Sequence, residues 1–203
     1  MEYFSFGPYL QQCRRLRIDE AIHSRQILVY GDGDGRFLSE LTRLASAMQA
    51  TAVDASRRML LRLEQRLPRE ARVRLIHADA LECKPAGFPE APFDLVVSHF
   101  FLDCFHESEL HSLVCRVNEA VDEGATWIVS DFAIPQRPVV RQLGTVIVRG
   151  LYLAFGLLTG LRTRRLPDHG RVMREAGWTL ENRRELLLGL LVSERWRRGV
   201  SHS

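Results

Sequence analysis

The stretch Gln26-Ile27-Leu28-Val29-Tyr30-Gly31-Asp32-Gly33-Asp34-Gly35-Arg36-Phe37-Leu38 decides the fold. Residues Gln26–Tyr30 form a short apolar strand, and three glycines at alternate positions then break it. After Arg36, the side chains of Phe37, Leu38, Leu41, Leu44 and Ala45 recur at helical spacing, which predicts a helix over Arg36–Met48. Strand, glycine turn and helix in that order open a β-α-β unit. Glycine in such a turn takes positive φ and lets a ligand approach the backbone, where the helix N-terminus offers unpaired N–H groups. Asp32 and Asp34 would repel a phosphate, and no GxxxxGK[ST] pattern is present, so a ligand with a neutral or cationic group suits this loop better.

The alternation continues outward. Ala50–Asp54 reads as a second strand, Ser56 as the cap of a helix over Arg57–Arg66, and Val73–His77 as a third strand. The proline-rich Cys83–Pro92 is a loop, Phe93–Ser98 a fourth strand, Glu107–Val121 a helix and Gly124–Asp131 a fifth strand. Upstream, Pro8–His23 reads as one helix. Downstream, Asp168 caps a helix over Arg171–Ala176, and Trp178–Arg184 and Leu187–Arg195 read as two strands about a tight turn. The expectation is an α/β domain: a doubly wound, mostly parallel seven-stranded sheet with helices on both faces and an antiparallel C-terminal hairpin. All 203 residues fall in one domain, with a helical cap inserted at about 135–167, where Pro138–Leu161 is rich in aliphatic residues.

Composition narrows the function. At 46% hydrophobic and 26% charged residues, the chain has the makeup of a globular domain. A chain of this length buries about 70% of its unfolded surface without disulfides or a structural metal. A net charge of +3 is too mild to imply a nucleic-acid partner, and Lys84 is the only lysine, which removes chemistry that needs a second one. Cys13, Cys83, Cys104 and Cys115 show no metal-ligand spacing, so no metal is expected and the thiols read as reduced and buried in a cytoplasmic protein. Met1–Gln12 has no secretory pattern, and the uninterrupted apolar run Gly150–Leu161 falls short of the roughly 20 residues of a membrane span. The expected state is a monomer or homodimer without a membrane span.

Acids end the second and third strands. Asp54 lies nineteen residues after Gly35, where a carboxylate can accept hydrogen bonds from both hydroxyls of a ribose. Asp79 is placed to accept one from an exocyclic amine such as adenine N6. The glycine loop, Asp54 and Asp79 all sit at carboxyl ends of consecutive strands, where open α/β sheets bind ligands.

With these motifs in order, the chain from Gln26 to about Arg195 resembles the class I S-adenosylmethionine-dependent methyltransferases of the small-molecule type. Ile27–Gly35 is similar to the family's loop facing the methionine part of the cofactor. Ala52-Val53-Asp54-Ala55-Ser56, followed by Met59, is similar to the second motif, with Asp54 in the ribose position. His77-Ala78-Asp79-Ala80 resembles the third, with Asp79 facing adenine, and Phe93–Phe100 the fourth, whose strand end lines the cofactor and the methyl path. The terminal hairpin matches the family's reversed last strand. The resemblance implies a Rossmann-like fold, S-adenosylmethionine as cofactor and S-adenosylhomocysteine as its product. It implies cofactor contacts from Gly31, Asp32, Gly33, Gly35, Asp54, Ala55, Met59, Asp79, Ala80, Ser98 and His99. Val29 stands where the family usually carries an acid, and Asp32 where Cys, Ala or Ser is usual. That makes Asp32 or Asp34 a candidate for the polar contact to the cofactor's amino group.

A sulfonium methyl needs an aligned nucleophile, exclusion of water and, for O-methylation, a base near the hydroxyl. His99 and Asp103 are the catalytic candidates, since they follow the fourth strand at the ligand edge; His106, His169 and Asp131 come after them. Phe100, Phe101 and Phe105, opposite the aliphatic Pro135–Pro167 segment, imply a small hydrophobic or aromatic acceptor. That segment serves equally as a cover for the sheet or as a dimer face. Tyr3, Phe4, Phe6 and Tyr9 form either a lid or a satellite cluster. Arg162, Arg164, Arg165, Arg171 and Arg174 read as a solvated face, and Ser98-His99-Phe100-Phe101 lacks the signature of base amino-methylation. Two alternatives stay open: a cofactor-binding but catalytically inactive relative, and an RNA methyltransferase. A nicotinamide-dependent oxidoreductase needs a tyrosine four residues before a lysine, and Lys84 has none.

Overall fold

The apolar runs pair into one sheet because the inner strands carry two buried faces and need helices on both. The structure is a computed structural model and describes residues 7–133 and 167–199. Its strands are β1 (Gln26–Tyr30), β2 (Gln49–Asp54), β3 (Val73–His77), β4 (Phe93–His99), β5 (Val121–Phe132), β6 (Trp178–Leu186) and β7 (Leu191–Arg198). Their order across the sheet is β3-β2-β1-β4-β5-β7-β6. The first five run parallel, and β7 is antiparallel to both β5 and β6. The chain leaves β1 toward β2 on one side and returns as β4 on the other. This reversal of strand order opens a crevice at the carboxyl ends of β1 and β4.

The helices are α1 (Gly7–Arg15), α2 (Ile18–Ala21), α3 (Arg36–Leu44), α4 (Arg57–Arg66), α5 (Glu107–Asn118) and α6 (His169–Glu175). Strand alternation sorts them into two layers. Leu28, Tyr30, Val96, Trp127 and Val129 pack with Leu110, Leu113, Val114 and Val117 of α5 and Val172 and Met173 of α6. Ile27, Val29, Leu95, Val97 and Ile128 pack on the opposite face with Ile18 and Ala21 of α2, Phe37, Leu38 and Leu41 of α3, and Leu63 of α4. Each such side chain removed from water contributes about 1.5–3 kcal/mol, so these layers dominate the fold's stability.

Several boundaries differ from the sequence expectation. The first helix is two helices, because the chain turns at Arg17 to send its guanidinium inward. That side chain is 1% exposed and donates to Ser193 Oγ and backbone O, Asn182 Oδ1 and backbone O, and both Glu20 oxygens. The α3 helix stops at Leu44, where Ala45 leaves helical geometry (φ −132°, ψ 76°). The α5 helix ends at Asn118, and β5 begins earlier than expected, at Val121. Between β6 and β7 the chain makes a 3₁₀ turn over Leu187–Gly189 instead of a tight two-residue turn. Cys115 is exposed, while Cys13 and Cys83 are buried. The expected cap at about 135–167 lies almost wholly outside the described residues, as do Tyr3, Phe4 and Phe6. Among the described residues no helix is long and apolar enough to cross a membrane.

Candidate active site

The glycine loop joins β1 to α3, and two of its glycines have different reasons to be there. Gly35 has φ +82°, and a Cβ on it would stand 2.5–2.9 Å from Leu63 atoms, the backbone Cα among them. Gly35 therefore lets α3 start against α4. Gly33 has φ +64°, and the nearest atom to its Cβ position would be Arg14 Nη2 at 3.9 Å. Space beside Gly33 is therefore open, and it borders a shallow recess lined by Val29, Asp32, Gly33, Ala52, Val53, Asp54, Leu60 and Leu63.

Because a glycine precedes α3, the helix has no side chain of its own to cap it. Asp32 supplies the missing acceptor. The Phe37 N–H donates to Oδ1 at 3.2 Å and the Leu38 N–H to Oδ2 at 3.0 Å. Burial pushes the Asp32 carboxyl up to about 7, against the pull of the Leu38 N–H, the Arg14 charge and the Phe37 N–H. Asp34 is held between Arg36 at 2.9 Å and Arg66 at 2.8 Å. Both acids of the loop are thus engaged within the protein.

At the end of β2, Asp54 Oδ1 accepts the Ser56 N–H at 2.7 Å, while Oδ2 accepts none from the described residues. Burial raises its pKa, against the Ser56 N–H and His77. Ser56 caps α4 by accepting from the Met59 N–H at 3.4 Å, which places Ala55 and Met59 beside Asp54. Past β3, the exposed Asp79 accepts the Leu81 N–H at 2.9 Å, and Ala80 is buried against Val53.

The end of β4 divides between the two faces. Ser98 turns into the α5 layer, where its Oγ accepts the Trp127 Nε1–H at 3.0 Å, so it reaches the crevice through its backbone. His99 lies on the α3 face, 1% exposed, with its ring edge on Phe37 at 4.7 Å. Neither ring nitrogen has a hydrogen-bond partner among the described residues. Burial, then the Arg14 charge, hold its pKa well below the usual histidine value, so the ring is neutral.

Beyond His99, Phe100 adopts φ +52° and packs on Phe132 at 5.1 Å; Phe101 stacks on Tyr30 at 5.2 Å and meets Phe105 at 4.9 Å. Asp103, 7% exposed, donates its N–H to Asp131 Oδ2 at 3.2 Å. The two carboxyl groups also share a side-chain hydrogen bond, and burial followed by the Asp103 charge holds Asp131 well above the usual carboxylate range.

The structure therefore gathers the loop glycines, Asp32, Asp54, His99 and Asp103 at one sheet edge. His106 stands instead at the N-terminus of α5, where its backbone N–H donates to Glu109, and His169 pairs with Glu194 of β7 at 2.9 Å. Arg14 was not among the expected site residues. It is 8% exposed on α1, and its guanidinium lies over the Phe100 ring at 5.2 Å. Its only sequence signal is a place among the buried residues of α1, beside Leu10 and Cys13.

Residues 27–124 match the methyltransferase domain family. No curated protein matches the chain in sequence. Among solved structures, the chain is similar to the mitomycin 7-O-methyltransferase MmcR at 14% identity, covering 95% of this chain and 55% of that one, with a TM-score of 0.73. It is similar to an O-methyltransferase family protein from Burkholderia thailandensis at 17% identity, covering 97% and 57%, with a TM-score of 0.64. It is also similar to the N-methyltransferase NodS from Bradyrhizobium japonicum WM9 at 15% identity, covering 98% and 100%, with a TM-score of 0.64. The chain thus spans little more than half the length of the first two, and at these identities the likeness is one of fold. Motif order, matched domain and sheet topology agree: residues 27–124 match a methyltransferase domain, and the seven-stranded sheet has the fold of methyltransferases of known structure.

Proposed function

We propose that the chain transfers a methyl group from S-adenosylmethionine to a small hydrophobic or aromatic acceptor. The observation that carries this reading is the open space beside Gly33, in a recess with the Asp54 carboxylate on its rim. A Cβ would fill that cradle, and Asp54 has an oxygen to spare, so the residues fit the cofactor. When bound, it supplies a methyl group on a sulfonium; the acceptor's lone pair forms the new bond to carbon while the carbon–sulfur pair passes to sulfur, leaving S-adenosylhomocysteine.

The chain's own part is to bind, align and exclude water. Gly31, Gly33 and Gly35 bring backbone close to the amino-acid arm. Asp54 accepts from the ribose hydroxyls, and Ala55, Met59, Asp79 and Ala80 surround the adenine. His99 and the Ser98 backbone close the crevice from β4. Asp32 and Asp34 serve the loop itself, the first as the cap of α3 and the second as an ion pair. The acceptor's place is the aromatic edge formed by Phe100, Phe101, Phe105 and Phe132.

For the acceptor's proton, Asp103 is a better base than His99. A second proton on His99 would put a cation in a fully buried site beside Arg14. Asp103 lies instead against the Asp131 carboxyl, whose hold on a proton burial strengthens. Release of S-adenosylhomocysteine from S-adenosylmethionine, measured with a panel of hydrophobic phenols and aromatic amines, tests the reading. Turnover with a panel member that Asp103→Asn lowers about 100-fold or more supports it. Tight cofactor binding without turnover on any acceptor class would favour a catalytically inactive protein.

A further inference from the structure

Residues 57–74 hold seven arginines against two glutamates, a local charge of +5 in a chain whose total is +3. Arg66 pairs with Asp34 and Arg74 with Glu90. Arg57, Arg58, Arg62, Arg69 and Arg72 are exposed and form no ion pair among the described residues. Their placement does not serve the helix. Arg57 and Arg58 open α4, where the helix dipole already presents positive charge and no acid stands in the first turn. Arg58 and Arg62 are four residues apart, so two like charges neighbour each other on the outer surface. Among them stands Leu61, 50% exposed, with Arg57, Arg58 and Gln65 one turn away and Arg62 beside it. The opposite side of α4 buries Leu60 and Leu63. The α3 helix, which packs on α4, ends in the same two residue types, with Arg43 exposed and Leu44 57% exposed.

We propose that the outer face of α4 docks the protein on a membrane surface rich in anionic phospholipid. Guanidinium groups without acidic partners suit the phosphates of lipid and RNA alike. The leucines decide between them. Surfaces that bind RNA hold unstacked bases on aromatic rings, whereas the large apolar side chains exposed on α3 and α4 are Leu44 and Leu61. A leucine among arginines instead enters the acyl boundary while the arginine stems reach back to the headgroups. Helix α4 follows Asp54 and lines the recess with Leu60 and Leu63, so its docked face lies on the outside of the candidate cofactor site. The hydrophobic acceptor proposed above gathers in the same bilayer. Docking needs neither cofactor nor acceptor, so its failure and the failure of the methyltransferase reading are separately visible.

The test is co-sedimentation with vesicles of phosphatidylcholine alone and of phosphatidylcholine with about one-third phosphatidylglycerol. Wild type is expected to bind the anionic vesicles and not the neutral ones, and to lose at least about tenfold between roughly 0.05 and 0.5 M salt. Each basic side chain near such a surface contributes about fivefold, so Arg57→Gln/Arg58→Gln/Arg62→Gln should weaken partitioning about 100-fold. Leu61→Gln keeps every charge and should cost about three- to tenfold. Arg184→Gln/Arg195→Gln/Arg197→Gln removes the same charge at the opposite edge of the sheet, on β6 and β7, and should cost less than about threefold. Equal binding of wild type to both kinds of vesicle, or equal losses in the two triple variants, overturns the inference. Retention of single-stranded RNA at salt that releases the vesicles, unchanged in Leu61→Gln, makes this an RNA face and overturns the lipid assignment.

Discussion

Two glycines of one loop should respond to the same substitution in opposite ways. In Gly35→Ala the new methyl meets Leu63 Cδ1 at 2.5 Å and Leu63 Cα at 2.7 Å, and backbone in a packed helix cannot swing away. A positive φ costs an alanine about 1–2 kcal/mol, and forced overpacking adds about 1–3 kcal/mol. The expected loss of about 2–5 kcal/mol lowers Tm by roughly 4–20 °C for a chain of this size. In Gly33→Ala only the φ cost applies, because Arg14 Nη2 at 3.9 Å is in ordinary contact. Stability should fall by about 1–2 kcal/mol, while the methyl group stands in the space assigned to the cofactor. That intrusion should weaken S-adenosylhomocysteine by about 5–150-fold, the equivalent of about 1–3 kcal/mol of overpacking. Thermal unfolding and calorimetric titration on both variants read the two effects separately. The reasoning is refuted if Gly33→Ala loses as much stability as Gly35→Ala and still binds S-adenosylhomocysteine like the wild type.

Two other perturbations check the accounts of Ser98 and Asp32. Ser98→Ala leaves the buried Trp127 N–H without its acceptor. Chemical denaturation should show a loss of about 1–3 kcal/mol, with cofactor affinity unchanged; a selective loss of affinity would put the hydroxyl in the site. Asp32 binds its proton more tightly folded than unfolded, with its pKa pushed from 3.8 to about 7. Its contribution to stability is therefore full below about pH 4 and is lost as pH rises toward 7, by about 4 kcal/mol at most. Denaturation curves across that window should be flatter for Asp32→Asn than for wild type, and parallel curves would contradict the assignment.

The sheet was legible because its strands are short apolar runs bounded by glycine, proline or acid, and because each strand end carries a polar residue where the crevice forms. Three features were not. Arg17 breaks the first helix to reach Asn182 and Ser193, partners 165 and 176 residues away that no local window contains. The β6–β7 turn puts Leu187 and Leu188 at φ 50° and 59°, and leucine gives no turn signal. Asp32 sits among the loop glycines, which pointed to a ligand contact. Its carboxylate instead caps α3, because the glycine at that helix start has no side chain to do so. Arg14 entered the site for the same kind of reason: its neighbours Gly33 and Phe100 are brought to it by the docking of α1, not by sequence proximity.

The central claim is that the recess at the ends of β1 and β2, beside the crevice, holds S-adenosylmethionine through Asp54. Isothermal titration of wild type and Asp54→Asn with S-adenosylmethionine and S-adenosylhomocysteine tests it directly. The asparagine keeps an oxygen for the Ser56 N–H and loses the acceptor that Oδ2 offers to ribose. The account predicts that wild type binds both molecules and that Asp54→Asn weakens each by about 5–150-fold, the cost of one buried hydrogen-bond partner. A folded wild type that binds neither, or an Asp54→Asn protein that binds as tightly as wild type, would contradict it.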